Sequence, residues 1–358
     1  MNIKKLVLAL SCASLMAVVQ AADTDRHYPA PSTVSEQMAA LVNAPAPALW
    51  YSDPKTLQDW EQMAGSYAKA AGEAASKTAA DRGVKVESSK LAGVPVFTLT
   101  PKKIDENKKD KVIFYIHGGG YVLGHGISGI TEAIPMAAQN HYKVISVDYR
   151  MAPQHDPKTF EIFQKIVEQY GEEDNPFAAY KEVVKQYGAE NIAVFGTSTG
   201  GAMTLILGLQ AHTEGRQMMP AALIAGTPWA DLDKIGDSYV VNEGVDNVLG
   251  TYDHLIRAAA QVYANGHDLK DPLISPVYAS DSILKDFPPT LLVSGTRDLF
   301  LSNTVRMHTR LLANRAPAEL IVYEAVSHAQ YYFDTNAPET RQHYQFLDDF
   351  LARVWKQK

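Results

Sequence analysis

The sequence has little cysteine, no surplus of basic residues and no long hydrophobic run. A single cysteine, Cys12, among 358 residues excludes an intramolecular disulfide and a metal site built from several cysteines. Acidic residues outnumber basic ones by 40 to 33, for a formal net charge of −7. Nucleic-acid binders and polybasic membrane-surface proteins usually carry the opposite sign. The longest apolar stretch, within residues 6–19, is short of the roughly 20 residues that span a membrane. We therefore expect no nucleic-acid partner and no stable membrane insertion.

Residues 1–21 have the three parts of a secretory signal peptide. Lys4 and Lys5 form a basic start, an apolar stretch follows, and residues 19–21 (Val-Gln-Ala) have the small-x-small pattern of a cleavage site. Removal of residues 1–21 leaves 31 basic against 40 acidic side chains, a net charge of −9. We therefore expect a periplasmic or secreted protein. A retained anchor and a lipid on Cys12 are alternatives, which the short apolar stretch and its continuation past the cysteine disfavour.

The rest of the chain changes character at residue 84. Residues 22–83 are rich in alanine and helical in composition between 55 and 80, which predicts an N-terminal segment with one or two helices outside the sheet. Residues 84–358 alternate short apolar strands with helices, which predicts an α/β domain with a mostly parallel central sheet. The predicted strands are 84–88, 94–99, 112–116, 144–147, 192–195, 222–225, 290–293 and 320–322. The predicted helices are 130–140, 160–169, 200–212, 305–314 and 339–355.

Residues 231–267 interrupt this alternation. The segment is long for a connection between two strands, and it contains one helix candidate at 252–263. Insertions of this length in compact domains usually serve a function, often as a lid over a site. We therefore predict a cap insertion here.

A nucleophile motif stands between a predicted strand and a predicted helix. Residues 195–201, Phe-Gly-Thr-Ser-Thr-Gly-Gly, contain the pattern G-x-S-x-G. The tight turn leaves no room for side chains two residues before and after the serine, and Gly196 and Gly200 meet this requirement. Ser198 would lie at a helix N-terminus, where free N–H groups favour a developing negative charge. We predict that Ser198 is a nucleophile; a glycine-serine turn without a chemical role is the alternative.

Three consecutive glycines follow the predicted strand 112–116. Residues 117–120 are His-Gly-Gly-Gly. Such a run costs backbone entropy, which is justified where bare N–H groups must approach a ligand closely. In hydrolases with a nucleophile elbow, a loop of this kind donates hydrogen bonds to the oxyanion. The N–H of the residue after the nucleophile, here Thr199, adds another donor. A flexible loop is the alternative.

A second glycine pattern suggests a different function. Gly124, Gly126 and Gly129 form a literal G-x-G-x-x-G, and Asp148 ends the next predicted strand, as in a dinucleotide-binding fingerprint. In that fingerprint the glycines follow the strand directly and begin the helix. Here the triple-glycine loop intervenes, which disfavours a dinucleotide site.

A serine nucleophile needs a base and an acid that orients the base. In hydrolases with this elbow the order along the chain is serine, acid, histidine. Asp298 follows the predicted strand 290–293 and His328 follows 320–322, at the strand ends where α/β sheets place their sites. We predict that His328 is the base and Asp298 the acid. Glu324 is a competing acid, but its spacing to His328 is poor for orienting the same ring.

Together these motifs resemble the hormone-sensitive-lipase-like family of α/β-hydrolases, in its bacterial esterase and lipase branch. Residues 117–120 are similar to the family's oxyanion motif, and 147–153 (Val-Asp-Tyr-Arg-Met-Ala-Pro) to its D-Y-R-x-A-P segment. Residues 196–201 are similar to its G-D-S-A-G-G elbow, and 271–276 to its D-P-x-x-S-P segment. The resemblance covers the chain from about residue 84 to the C-terminus and implies an α/β-hydrolase fold with a helical cap.

The resemblance also implies roles for single residues. The oxyanion donors would be the N–H groups of Gly119, Gly120 and Thr199. The cap, formed by residues 22–83 and 231–267, would shape the acyl pocket.

Other positions are implied to be structural, or depart from the family pattern. His117, Asp148 and Arg150 would brace the glycine loop rather than react. Thr197 stands where the family commonly has aspartate, and Asn303 where many members carry a second acid. The neighbour of the nucleophile is threonine where alanine is common. These departures bear on the range of substrates.

The sequence therefore predicts an exported serine carboxylesterase that acts on short- to medium-chain carboxylic esters. A triad of Ser198, His328 and Asp298 would act through an acyl-enzyme, without a metal or cofactor. The expected partner is a small-molecule ester, and the oligomeric state stays open, a homodimer included. A lactonase or amidase using the same triad is one alternative. A non-catalytic binding protein of hydrolase fold is another.

Overall fold

The computed structural model describes residue 26 and residues 28–152 and 176–356. The predicted signal peptide 1–21 and the predicted helix 160–169 lie outside the described residues, as does residue 153 of the 147–153 motif. The strands are β1 Lys85–Leu91, β2 Val94–Thr100, β3 Val112–Ile116, β4 Lys143–Val147, β5 Ile192–Thr197, β6 Ala222–Gly226, β7 Thr290–Gly295 and β8 Ala318–Tyr323. The helices are α1 Glu36–Val42, α2 Leu57–Asp81, α3 Ala133–Ala138, α4 Pro176–Tyr187, α5 Thr199–Glu214, α6 Ser238–Val241, α7 Leu255–Ala264, α8 Asp281–Leu284, α9 Leu301–Ala313 and α10 Pro338–Lys356.

The strands form one sheet in the order β1-β2-β4-β3-β5-β6-β7-β8. Strands β3 to β8 pair in parallel with their neighbours, and only β1 with β2 and β2 with β4 pair antiparallel. The central strands β3, β5, β6 and β7 are buried at every residue, as their continuous apolar sequences predict. Strand β1 lies at one edge of the sheet and is largely exposed, with a polar sequence that suits an unpaired edge.

Helices cover both faces of the sheet. Helices α4, α5 and α9 pack on one face, and α3 and α10 pack on the other. Alternate residues of the central strands belong to the two cores: Phe114 and Val194 face one, Tyr115 and Phe195 the other. The predicted α/β-hydrolase fold, with a mostly parallel sheet flanked by helices, is confirmed.

Two predicted helices differ in extent from the structure. The prediction for 130–140 becomes a 3-10 helix, Gly126–Ile130, followed by the short α3. Pro135 fits the first turn of α3 because the N–H groups there have no intrahelical partner. The predicted helix 305–314 begins earlier, since α9 starts at Leu301. The helical stretch 55–80 forms the single helix α2.

The N-terminal segment and the insertion contact each other. The Asn247 side chain donates to the Leu41 carbonyl over 2.7 Å, and His254 Nδ1 lies 2.9 Å from Asp53 Oδ2. The two predicted cap segments therefore touch through polar contacts. In the part of the chain that the structure describes, no helix is both long and apolar enough to cross a membrane.

Candidate active site

Ser198 lies at the junction between β5 and α5, in a strained backbone conformation. Its φ of 63° and ψ of −123° are rare for a residue with a side chain. A Cβ added at Gly200 would lie 2.0 Å from the Ile116 carbonyl oxygen, and one added at Gly196 would lie 2.4 Å from the Gly200 oxygen. The turn therefore requires glycine at both positions, as the motif predicts. The Ser198 N–H donates to the Gly226 oxygen over 2.8 Å, which fixes the turn to β6.

The glycine loop lies beside the turn that carries Ser198. A Cβ added at Gly118 would come within 3.1 Å of the Ser198 Cβ. Gly119 and Gly120 have φ of 123° and 64°, and a Cβ at Gly119 would lie 2.1 Å from the Leu123 oxygen. Among the described residues, the N–H groups of Gly119 and Gly120 donate no hydrogen bond. Two bare N–H groups are thus held on a rigid loop close to the serine.

The second glycine pattern packs around a histidine. A Cβ at Gly124 would lie 2.6 Å from the His117 Nδ1, and one at Gly129 would lie 2.8 Å from its Cδ2. The Tyr149 ring stacks on the other side of the imidazole, at 4.3 Å between centroids. Burial lowers the pKa of His117. Gly124 and Gly129 therefore make room for a ring inside the protein, a packing role that needs no dinucleotide. Gly126, the third glycine of the pattern, has open space beside it and a φ of 66°.

Asp148 holds the end of the same loop. Its Oδ1 accepts from the Gly126 N–H at 2.9 Å and lies 3.2 Å from His125 Nδ1. Burial raises the pKa of Asp148, but the hydrogen bonds from His125 and Gly126 outweigh it and leave the pKa lowered. Tyr149 donates to the His117 carbonyl over 2.9 Å. The motif at 147–153 thus contacts the glycine loop through its first residues.

The predicted acid and base are in direct contact. His328 Nδ1 lies 3.0 Å from Asp298 Oδ1, and both side chains are buried. Asp298 Oδ1 also accepts from the Phe300 N–H at 2.9 Å, and Oδ2 accepts from the Ser294 hydroxyl at 2.6 Å. The Phe300 N–H and the Ser294 hydroxyl therefore hold this carboxylate in place beside the Nδ1 atom of the imidazole.

No hydrogen bond among the described residues joins Ser198 to His328. A short series of packed groups connects them instead. The backbone N–H of Trp229 donates to the Ser198 carbonyl over 3.1 Å, and the Trp229 ring stacks on Phe300 at 5.3 Å. The Phe300 ring meets the His328 imidazole edge-on at 4.9 Å. In enzymes of this kind the bond between nucleophile and base often tightens only in the substrate complex.

Sequence reasoning missed Asp246, a fully buried carboxylate in the insertion. Its Oδ2 accepts from the Leu299 N–H at 2.8 Å, directly after Asp298. Its Oδ1 accepts from Val248 N–H at 2.9 Å and faces the His328 N–H at 3.4 Å. Burial and the charge of Asp298 raise the pKa of Asp246. One carboxylate of the insertion thus holds the backbones of both loops that carry the predicted acid and base.

Two further polar side chains at the site were also missed. Ser294 lies at the end of β7, and Glu132 accepts from the Thr197 hydroxyl at 2.6 Å, next to Ser198. The sequence carries one signal for Glu132: it is the single charged residue in the apolar run 130–140. Ser294 carried no signal, because serine at a strand end is common in turns.

The remaining candidates take structural positions. Glu324 accepts from the Thr33 hydroxyl of the N-terminal segment at 2.7 Å. Asn303 is buried, and its amide donates to the Tyr239 hydroxyl at 2.9 Å. No group of three or more His, Cys, Asp or Glu residues that could hold a metal ion occurs in residues 28–152 and 176–356.

Comparisons with known proteins identify the family and the fold. A family model described as the alpha/beta hydrolase fold matches residues 113–332. An esterase of Acinetobacter venetianus is 25% identical over 251 residues, which are 68% of this chain and 75% of that protein. The crystal structure of an esterase has a TM-score of 0.82 and 36% identity, and it covers 92% of this chain and 97% of its own.

A further crystal structure supports the fold alone. It is that of an esterase from the bacterial hormone-sensitive lipase family, with a TM-score of 0.72 and 24% identity over 90% of this chain and 99% of its own. The family predicted from the motifs at 117–120 and 196–201 is confirmed. Because the family model spans more than half of the sequence and the whole fold matches, the chain belongs to the hormone-sensitive-lipase-like family of α/β-hydrolases.

Proposed function

We propose that the chain is an exported serine carboxylesterase that hydrolyses short- to medium-chain carboxylic esters through an acyl-enzyme. The family and the relatives named esterase show that the chain is a hydrolase of ester bonds. The observation that carries the finer proposal is the pair formed by His328 and Asp298, 3.0 Å apart, near a strained Ser198 with bare N–H groups beside it.

The chemistry has two halves. Ser198 Oγ attacks the ester carbonyl carbon while His328 Nε2 takes the hydroxyl proton, and Asp298 holds the imidazole by its Nδ1–H. The tetrahedral intermediate expels the alcohol, which receives the proton from His328 and leaves an acyl group on Ser198. A water molecule then attacks the acyl-enzyme with His328 as base, which releases the carboxylic acid and restores the serine.

The oxyanion of each tetrahedral intermediate would be stabilised by three backbone donors. Gly119 and Gly120 supply two N–H groups from the rigid glycine loop, and Thr199 supplies the third as the first residue of α5. The dipole of α5 adds a positive partial charge at the same point. Each fixed donor is worth about 3 kcal/mol in systems where one has been removed.

The neighbourhood of the glycine loop supports small acyl groups. A Cβ at Gly120 would meet Ala259 of α7 and the Trp50 ring at 4.0 Å each. The Tyr121 ring, next in sequence, stacks on Tyr263 of α7 at 3.6 Å. Both predicted cap segments thus reach the loop, and their bulk favours short and medium chains. The protein would need no cofactor or metal for this reaction.

The test of the nucleophile is covalent labelling. We expect a fluorophosphonate to modify the purified protein at Ser198, located by peptide mass spectrometry, and the Ser198→Ala variant to be unlabelled and inactive. A series of p-nitrophenyl esters should show turnover that falls as the acyl chain lengthens. An adduct on another residue, or full activity in Ser198→Ala, would overturn the mechanism.

Parallel assays separate the alternatives. Turnover of a simple ester, a lactone and an anilide on one preparation distinguishes an esterase from a lactonase or amidase. Absence of both labelling and turnover would favour a non-catalytic binding protein. Export is tested by fractionating cells and determining the N-terminus of the mature protein, which we expect to be Ala22 in the periplasm or medium.

A further inference from the structure

A buried carboxylate lies behind the nucleophile. The Glu132 side chain is only 2% exposed. Its Oε1 accepts from the Thr197 hydroxyl at 2.6 Å, and its Oε2 accepts from the Tyr115 hydroxyl of β3 at 2.9 Å. The Tyr344 hydroxyl of α10 donates to the Glu132 backbone carbonyl at 3.0 Å. Neutral hydroxyl groups thus surround an acid that has no basic side chain as an ion-pair partner among the described residues.

These hydrogen bonds reach the loops of the predicted nucleophile and the predicted base. Thr197 immediately precedes Ser198, and its single hydroxyl hydrogen is given to Glu132. Across the 3.5 Å between Thr197 Oγ1 and the Tyr331 hydroxyl, the tyrosine must therefore be the donor. Tyr331 lies three residues after His328. One series of hydrogen bonds thus runs from Glu132 to the residue before the nucleophile and on to the turn after the base.

The packing around this series leaves it little freedom. A Cβ at Gly226 would lie 2.3 Å from the Tyr331 hydroxyl and 2.4 Å from Thr197 Oγ1. The Gly226 carbonyl accepts the Ser198 N–H. Rotation of the Thr197 side chain is therefore coupled to the backbone that holds Ser198 in its strained conformation.

We propose that Glu132 is a positioning residue of the ester hydrolysis: its carboxylate fixes the Thr197 side chain, and through it the Ser198 backbone and the His328 turn. The proposal rests on the proposed function of Ser198 and His328. A buried carboxylate costs stability compared with an apolar side chain of similar size. Its presence here is explained if the hydrogen-bonded anion keeps the nucleophile aligned.

The electrostatics agree with this role. Burial raises the pKa of Glu132 to about 7, against the hydrogen bonds from Thr197 and Tyr115 and the charge of His328, which lower it. The titratable groups that face Glu132 from the surrounding elements are Tyr115, Tyr331, Tyr332, Tyr344 and His328.

Substitutions at two positions test the proposal. Glu132→Gln keeps the size and an accepting oxygen but removes the charge, and Thr197→Val removes the hydroxyl while keeping the shape. We expect each to lower kcat and the rate of fluorophosphonate labelling about tenfold, with KM within about twofold. The double variant should be no slower than the worse single variant, because both act through one hydrogen bond. Thr197→Ser, which keeps the hydroxyl, should restore kcat.

The pH profile gives a readout that a merely structural residue would not move. The acid limb of kcat/KM should include the titration of Glu132 near pH 7, and in Glu132→Gln it should become shallower and move to lower pH. The control is Asp348→Asn, whose carboxylate accepts from the Tyr142 hydroxyl at 2.9 Å and pairs with Lys108 at 2.6 Å. This variant should lose stability with an unchanged pH profile and kcat.

Two results would overturn the inference, and they are distinguishable. Wild-type labelling at Ser198 with unchanged kcat and pH profile in Glu132→Gln and Thr197→Val would refute the role of Glu132 alone. Absence of labelling at Ser198 in the wild type would refute the proposed function and the inference with it. If Glu132→Gln does not fold, the comparison of Thr197→Val with Thr197→Ser decides: equal kcat in the two would refute the proposal.

Discussion

Replacing Asp246 by asparagine should slow catalysis, although Asp246 does not touch the substrate in the proposed mechanism. The carboxylate accepts from Leu299 N–H on one oxygen and from Val248 and Leu249 N–H on the other. Asparagine keeps the shape but has a single accepting oxygen. Whichever way the amide turns, its NH₂ group faces a backbone N–H, so at least one buried donor loses its partner.

The size of the effect follows from this count. A buried donor left unpaired costs about 1–3 kcal/mol, and the lost bond was to a charged group. The loss of a buried charge beside Asp298 offsets part of this cost, since burial and the charge of Asp298 both disfavour the Asp246 anion and raise its pKa. We expect a net destabilisation of about 2 kcal/mol. Because the freed N–H of Leu299 adjoins Asp298, we also expect kcat to fall about tenfold, with KM within about twofold.

Urea unfolding followed by tryptophan fluorescence measures the loss of stability, and p-nitrophenyl acetate kinetics measure kcat and KM. The matched control is Asp231→Asn in the same insertion. Asp231 is also fully buried, but it bonds to Arg306 at 2.5 Å and to the Tyr278 hydroxyl at 2.9 Å. This control should lose comparable stability and keep kcat. Equal kcat in both variants and the wild type would show that Asp246 supports the fold without aligning the acid and base.

Four further outcomes are expected. Ser294→Ala removes the hydroxyl that donates to Asp298 at 2.6 Å and should lower kcat about fivefold, while circular dichroism stays unchanged. Gly119→Ala should abolish turnover and labelling, because its Cβ would overlap a backbone oxygen at 2.1 Å. Gly266→Ala, with φ of 83° and open space, should lose about 1 kcal/mol and keep activity. Burial raises the pKa of Glu132 to about 7, so the folded protein favours the protonated form of this acid. The free energy of unfolding should therefore fall by roughly 3 kcal/mol as pH rises from 4.5 through 7. Glu132→Gln should show a flatter dependence of Tm on pH.

The sequence was informative wherever a local pattern determined the structure. The central strands β3, β5, β6 and β7 were predicted because parallel strands buried on both faces need continuous apolar, β-branched residues. Residues 196–201 and 117–120 predicted tight turns because only glycine can approach other backbone so closely. At Gly200 and Gly119 the structure shows distances that no Cβ could accommodate.

The supporting residues of the site could not be predicted in this way. Asp246 contacts loops 53 and 82 residues further along the chain, and Glu132 contacts Thr197 across 65 residues. No spacing rule connects such positions, and from sequence alone a lone acid in an apolar helix or a cap insertion is interpreted as a surface charge.

The same limit applies to the second glycine pattern. The sequence could disfavour a dinucleotide there, but the ring of His117 filling the space became visible only in three dimensions.

Buried acids on two sides of the site give a physical reason for its rigidity. The strained backbone of Ser198 costs of order 1–3 kcal/mol and persists only if the surroundings over-determine it. Glu132, beside α3, holds the Thr197 side chain next to the nucleophile. Asp246, in the insertion, holds the loops of the predicted acid and base. Each carboxylate is itself costly to bury, as its raised pKa indicates. An apolar residue in place of Glu132 would therefore remove part of that cost and at the same time release the Thr197 side chain. An apolar residue in place of Asp246 would leave backbone N–H groups unpaired, so stability and kcat should fall together there. Because the two positions differ in this way, their variants must be judged by kcat and pH profile together with Tm.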